Sequence, residues 1–126
     1  MNDVAPKPVT TIALPELKAG EIYKGILVNE AGQPLHHLIE IPCGEDAAWE
    51  KSREIVQDLG GSLPKFAEGA LLRASDPRGL TGAFWLDEPY AGDESYAWYQ
   101  SFDDGYQGTS PKHYSLRARA VRRVAI

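Results

Sequence analysis

Cysteine is nearly absent: Cys43 is the only one in 126 residues. No internal disulfide can form, and small secreted domains commonly depend on disulfides, so the chain reads as made in a reducing compartment. Its length suffices to build a core without covalent staples. Any apolar run approaching the roughly 20 residues that span a bilayer is also missing. The opening stretch, MNDVAPKPVTTIALP, has no apolar segment of signal-peptide type. These absences give the expectation of a protein that is cytoplasmic when made and has no membrane partner. Nor is there a basic excess. Thirteen Lys and Arg face eighteen Asp and Glu, a formal net charge of -5. Duplex nucleic acid calls for a basic footprint, so direct binding to it is not expected. Catalytic signatures are missing too: there is no G-x-S-x-G, H-E-x-x-H, P-loop or G-x-G-x-x-G. No catalytic residue, metal ligand or cofactor is expected.

What is present reads as one globular domain of ordinary composition, 43% hydrophobic and 25% charged. Residues 1–20, with Pro6, Pro8 and Pro15, read as an extended arm, with an edge strand around Val9 to Leu14. Residues 21–126 form the domain. Two apolar runs, Ile22 to Val28 and Leu35 to Ile41, flank the turn formers of NEAGQP and predict a β-hairpin. Trp49, Ser52, Val56 and Leu59 recur at helical spacing, with Asp46 as a cap and Gly60-Gly61 as a stop. A second helix is predicted over SLPKFAEGALLRAS, capped near Ser62 or Leu63 with Pro64 in the first turn and Gly69 weakening its interior. DPRGLTG reads as a loop. AFWLDE, SYAWYQSF and SLRARAVRRVAI read as short strands.

Residue chemistry narrows the options further. His36 and His37 are adjacent in a strand, so their rings face opposite sides and cannot chelate one metal together. Asp87, Glu88, Asp93, Glu94, Asp103 and Asp104 crowd the C-terminal third. Oxygen-rich loops suit calcium, but the EF-hand spacing is lacking, and Asp104-Gly105 is a turn signal. Calcium binding by these loops is left open by the sequence. Cys43 falls at a strand-to-helix junction, where a thiol can be activated, yet no motif sets a base beside it. Arg117, Arg119 and Arg123 are expected on one face of the last strand, as an anion or carboxylate-partner site or as a wet face paired to the acidic loops.

The C-terminal third, from Gly82 to Val124, resembles a bacterial and phage domain family of largely unknown function. That family includes the C-terminal domain of collagen-like bacterial adhesins. The resemblance runs through Phe84-Trp85, Ala97-Trp98, Phe102 with Gly105, and Ala118-Arg119-Ala120-Val121-Arg122, and extends to GGSLPKFAE before the second helix. Leu86-Asp87-Glu88 departs from the family's Ser-Ser-Thr, and Ser62 and Lys65 from its Arg and Thr. The resemblance implies an α+β, C-type-lectin-like fold: two helices packed on a small, twisted, mostly antiparallel sheet, with an N-terminal hairpin. It extends at fold level to formylglycine-generating enzymes, which use paired cysteines that this chain lacks. Calcium-dependent sugar binding is not implied, because no Trp-Asn-Asp follows Glu88-Pro89-Tyr90.

On this reading Trp49, Val56, Leu59, Leu71, Trp85, Trp98, Phe102, Leu116 and Ala118 form the core, while Tyr99, Tyr106 and Tyr90 face outward. The expected function is a non-enzymatic binding module of phage or bacterial origin that recognises a protein or glycan through its late-strand loops, 87–95 and 103–114. Its ligand contacts are expected at Tyr90, Asp93, Tyr106, His113 and Tyr114, and its partner contacts at Asp87, Asp104, Arg117 and Arg119. Aromatic anchors dominate interface energetics, which favours the tyrosines. The alternative is an intracellular phage accessory protein that inhibits or modulates a host protein, an acidic surface being suited to a basic partner. Virion association and homo-oligomerisation are both compatible with the sequence.

Overall fold

Gly20, at φ +79°, turns the chain out of its N-terminal arm and into the first strand. The computed structural model describes residues 11–76 and 82–126. Within them the fold is α+β, with two helices and two sheets. Strands β1 (Ile22–Val28) and β2 (Pro34–Ile41) pair antiparallel as the sequence predicts. The Asn29 side chain closes their turn by accepting the amides of Ala31 and Gln33, both at 2.9 Å, and Gly32 supplies the positive φ. The edge strand expected around Val9 to Leu14 is not formed at residues 11–14; Val9 and Thr10 lie outside the described residues. So does most of the loop expected at DPRGLTG, residues 77–81.

After β2 come the two-residue β3 (Asp46–Ala47), helix α1 (Trp49–Asp58) and helix α2 (Phe66–Ala74). Asp46 does not cap α1. It belongs to β3, and Ala48 stands at the cap without a side-chain bond. The cap of α2 shifts as well, from Ser62 or Leu63 to Lys65, whose amide donates to Glu68 Oε1 at 2.8 Å. Gly60 ends α1 in the left-handed region at φ +87°, as expected. Leu59 is therefore past the last helical turn and exposed rather than in the core.

The remaining strands are β4 (Ala83–Pro89), β5 (Tyr96–Ser101), β6 (Gln107–Pro111), β7 (Leu116–Arg117) and β8 (Ala120–Ala125). One sheet has the order β1-β2-β8 and the other β3-β7-β4-β5-β6. All pairings are antiparallel except the single contact of β4 with β7, Phe84 opposite Arg117. The single sheet expected from the sequence is thus two, because the last apolar stretch is not one strand. It leaves the second sheet at Ala118-Arg119 and joins the first.

That switch builds two cores with β4 between them. Phe84 and Leu86 enter a cluster with Leu38, Leu72, Phe102 and Val121, closed by α2 and the first sheet. Trp85 points the other way, to Trp49, Val56, Leu63, Ala97 and Ala118. A strand buried on both faces reads as a continuous apolar run, which is what AFWL is. Both indoles find acceptors: Trp49 Nε1 donates to the Leu86 carbonyl and Trp85 Nε1 to that of Ala47, each at 2.9 Å. Gly69 has its reason here, since a Cβ would come within 2.5 Å of Leu86 Cδ2. Trp98, Leu71 and Leu116 pack against these cores but stay half-buried.

Candidate tyrosine cleft

In β5, residues 97, 99 and 101 share the face of Trp85 and residues 96, 98 and 100 the face toward α2. Ala97 and Gln100 are the buried members, one on each face. The strand is therefore not divided into core and surface parities as expected. Trp98 lies under Phe66, with ring centroids 5.3 Å apart at 76°. On the other face, Tyr99 packs against the Trp85 core and meets Tyr106 edge-on at 6.5 Å.

The chain then has to return from β6, at the sheet edge, to β7 on the far side of β4 and β5. Residues 112–115 make that crossing, tied down where Lys112 accepts the Trp49 amide at 2.9 Å and sets its ammonium 4.7 Å over the Trp49 ring. The crossing brings Tyr114 to the same face as Tyr99 and Tyr106. Between them lies an open cleft of about 580 Å³, lined also by Asp103, Asp104 and Thr109. Tyr106 is 61% exposed and Tyr114 54%. Gly108 lets two of the rings approach the backbone: a Cβ there would stand 2.5 Å from Tyr106 Cε1 and 2.9 Å from Tyr99 Oη.

Hydrogen bonds within the turn fix one wall. Asp104 Oδ1 accepts the Tyr106 amide at 2.9 Å, and this bond holds its carboxyl below the usual aspartate value. Gly105 takes φ +78°, and the Asp103 amide donates to Ser101 Oγ at 3.2 Å. Among the described residues no cationic side chain lines the cleft. No group of three or more His, Cys, Asp or Glu is placed to hold a metal among them either.

Of the nine contact residues expected from the sequence, the cleft brings together Tyr106, Tyr114 and Asp104. His113 stands beside it, edge-on to Tyr114 at 4.9 Å. Tyr90 and Asp93 lie elsewhere, beyond the opposite end of β5. Tyr90 packs edge-on against Trp98, 5.7 Å away on the α2 face, and Asp93 accepts the amide and hydroxyl of Ser95 to hold its own turn. Asp87 is engaged by Arg53 at 3.3 Å and Lys65 at 3.6 Å, tying both helices to β4. Arg117 reaches Asp46 at 3.6 Å across β3 and β7.

Arg119 is a correction. It is 4% exposed, and its expected face shared with Arg117 and Arg123 does not exist, because the chain changes sheets beside it. Its Nε and Nη2 each donate to Glu40 at 2.6 Å, and the guanidinium carbon sits 5.1 Å from the Phe84 ring and 5.0 Å from that of Phe102. A group so enclosed cannot meet a partner. Arg123 is also engaged, in a bidentate pair with the buried Glu68, which His36 reaches at 2.9 Å. Burial alone would raise the Glu68 carboxyl; the bonds from Arg123, the Lys65 amide and His36 outweigh it and hold the group low. His37, on the other face as expected, bonds Tyr23 Oη at 2.7 Å.

The sequence reading set Tyr99 outward but left both Tyr99 and Asp103 out of its contact residues. A signal for Tyr99 was available in its alternation with Ala97 and Ser101 and in the glycine opposite it, since Tyr99 pairs with Gly108. No known protein-family model matches the chain, and no curated protein does.

Proposed function

We propose that this chain is a non-enzymatic binding module of phage or bacterial type, C-type-lectin-like in architecture, whose tyrosine cleft contacts a protein or glycan. The observation that carries this reading is the convergence of Tyr99, Tyr106 and Tyr114 from three separate segments onto one open cleft. Tyrosine offers large, rigid contact area at low conformational cost, and fixed loops on a rigid sheet are where binding residues concentrate. The lectin-like part of the proposal rests on two helices set against mostly antiparallel strands, with the late strands joined by irregular segments.

The test is binding of host proteins and of an immobilised glycan panel by the wild type, a Tyr106→Ala/Tyr114→Ala variant and Arg117→Ala. Loss of a ligand by the tyrosine variant of more than ~1 kcal/mol, with Arg117→Ala unaffected, is the expected result. The reverse pattern places the contact face on the β3–β7 edge and ends the assignment. The net charge of -5 favours a second reading, an accessory protein acting on a basic host factor. Presence of the chain in purified virions supports the first reading over the second.

A further inference from the structure

We infer that the occupant of the tyrosine cleft is a proline-rich, cationic peptide segment of a partner protein, bound in the extended polyproline II form. This rests on the reading of the cleft as the contact face and goes beyond it in naming the ligand's chemistry. Three observations carry it. The surface of the cleft is aromatic: exposed Tyr106 and Tyr114 with half-buried Tyr99 of β5. Grooves walled by such rings accept the proline ridges of a polyproline II helix, a conformer that is preformed and costs little to order.

Second, three of the cleft's polar side chains are engaged by neighbouring backbone. Asp104 accepts the Tyr106 amide, Ser101 Oγ accepts that of Asp103, and Ser110 Oγ faces the Pro111 carbonyl at 3.5 Å. No amide side chain lines the cleft among the described residues. A sugar ring is recognised through fans of planar polar groups at its hydroxyl edge, and among the described residues the cleft offers only the carboxylates of Asp103 and Asp104, one of which is already bound to the Tyr106 amide. A polyproline segment asks for little hydrogen bonding beyond its carbonyls, which tyrosine hydroxyls can serve.

Third, the charge is of one sign. Asp103 and Asp104 line the cleft, and no Lys or Arg does among the described residues. Arg73, beneath the turn, acts on Asp104 from behind, with its Nε committed to the Phe102 carbonyl at 3.1 Å. A complementary ligand carries Lys or Arg next to its prolines.

The test titrates the isotope-labelled full chain with a short synthetic peptide of Pro-Pro-Arg repeats and follows the amide resonances of Tyr99, Tyr106, Gly108 and Tyr114. Saturable shifts are expected. Replacing Arg by Glu in the peptide weakens binding at least ~10-fold, like charges facing each other across the contact. Replacing Pro by Gly also weakens it, through the ordering cost. Asp103→Asn/Asp104→Asn removes the preference for Arg over Glu, and Tyr106→Ala removes binding to both. Equal affinity for the Arg and Glu peptides overturns the inference. So does a cleft that responds to neutral oligosaccharides and not to the peptide, in which case it is still a contact face and only the ligand class falls. Silence to every probe, together with tyrosine variants that keep their partner in the preceding test, is instead failure of the contact-face reading.

Discussion

The α2-facing side of the first sheet and the Tyr99 face of the second use polar side chains in opposite ways. On the first, Arg119–Glu40 and Arg123–Glu68 are bidentate pairs whose carboxylates are largely shut away from water. On the second, Tyr106, Tyr114 and Asp103 stand in the open cleft. Arginine beside buried carboxylate is committed, because removing either partner strands the other in a poorly solvated place. An exposed ring resting on a glycine has no such debt. The first surface is built to hold the fold, and the second is left free to act on something else.

The largest expected effect breaks that comparison at one motif. Among the described residues Arg119→Met leaves Glu40 with only Lys24, 3.6 Å away, as a cationic partner, and a loss of ~3–5 kcal/mol is expected in denaturant unfolding. Arg117→Met, two residues earlier in an exposed pair, should change stability by less than ~1 kcal/mol. Equal losses would abolish the distinction. Next comes Gly69→Ala. Its Cβ runs into Leu86 Cδ2, and overpacking of ~1–3 kcal/mol outweighs a helix-propensity gain of up to ~1 kcal/mol, so a lower Tm is expected.

A smaller effect depends on pH. Hydrogen bonds from Arg122, followed by the Lys18 amide, pull the Glu21 carboxyl from 4.5 down to about 2. Because the folded value is the lower, this contact stabilises fully above pH 4.5 and fades as pH falls toward 2. The Tm advantage of the wild type over Glu21→Gln should therefore shrink steadily across that window and stay constant from pH 5 to 7. The smallest effect is on the other face: Tyr106→Ala should leave stability within ~0.5 kcal/mol of wild type, sharpening the claim that this ring serves contact rather than folding.

Much of the fold was legible because it is written in local signals. The NEAGQP hairpin, the α1 stripe and the Gly60 stop each sit within a few residues of what they control. The sheet switch was not legible. Leu116 to Ile126 reads as one uniform strand, and what divides it is Glu40, far away in sequence, drawing Arg119 inward. The same failure misplaced the basic face. In the site, exposed Tyr106 and Tyr114 could be picked by type and loop position, whereas their union with Tyr99 depends on where residues 112–115 cross. Tyr90, alike in type, is separated from them because it sits in the β4–β5 connection, beyond the other end of β5.

The switch of the chain at Ala118-Arg119 has a consequence for the order of assembly. Strand β2 has β8 as its second neighbour, Leu38 opposite Arg123 and Ile41 opposite Ala120, so a sheet begun near the start is finished by residues near the end. Chain closure over that distance costs entropy before any contact repays it, and topologies dominated by such pairings fold slowly. During synthesis the hairpin must wait with its inner edge unpaired and Leu38 and Ile39 uncovered, the condition in which strands find wrong partners. Arg119, Arg122 and Arg123 emerge late together, and each closes on a carboxylate made long before: Glu40, Glu21 and Glu68. They act as a latch, and refolding should show the ion pairs and the first sheet forming in one final, concerted phase.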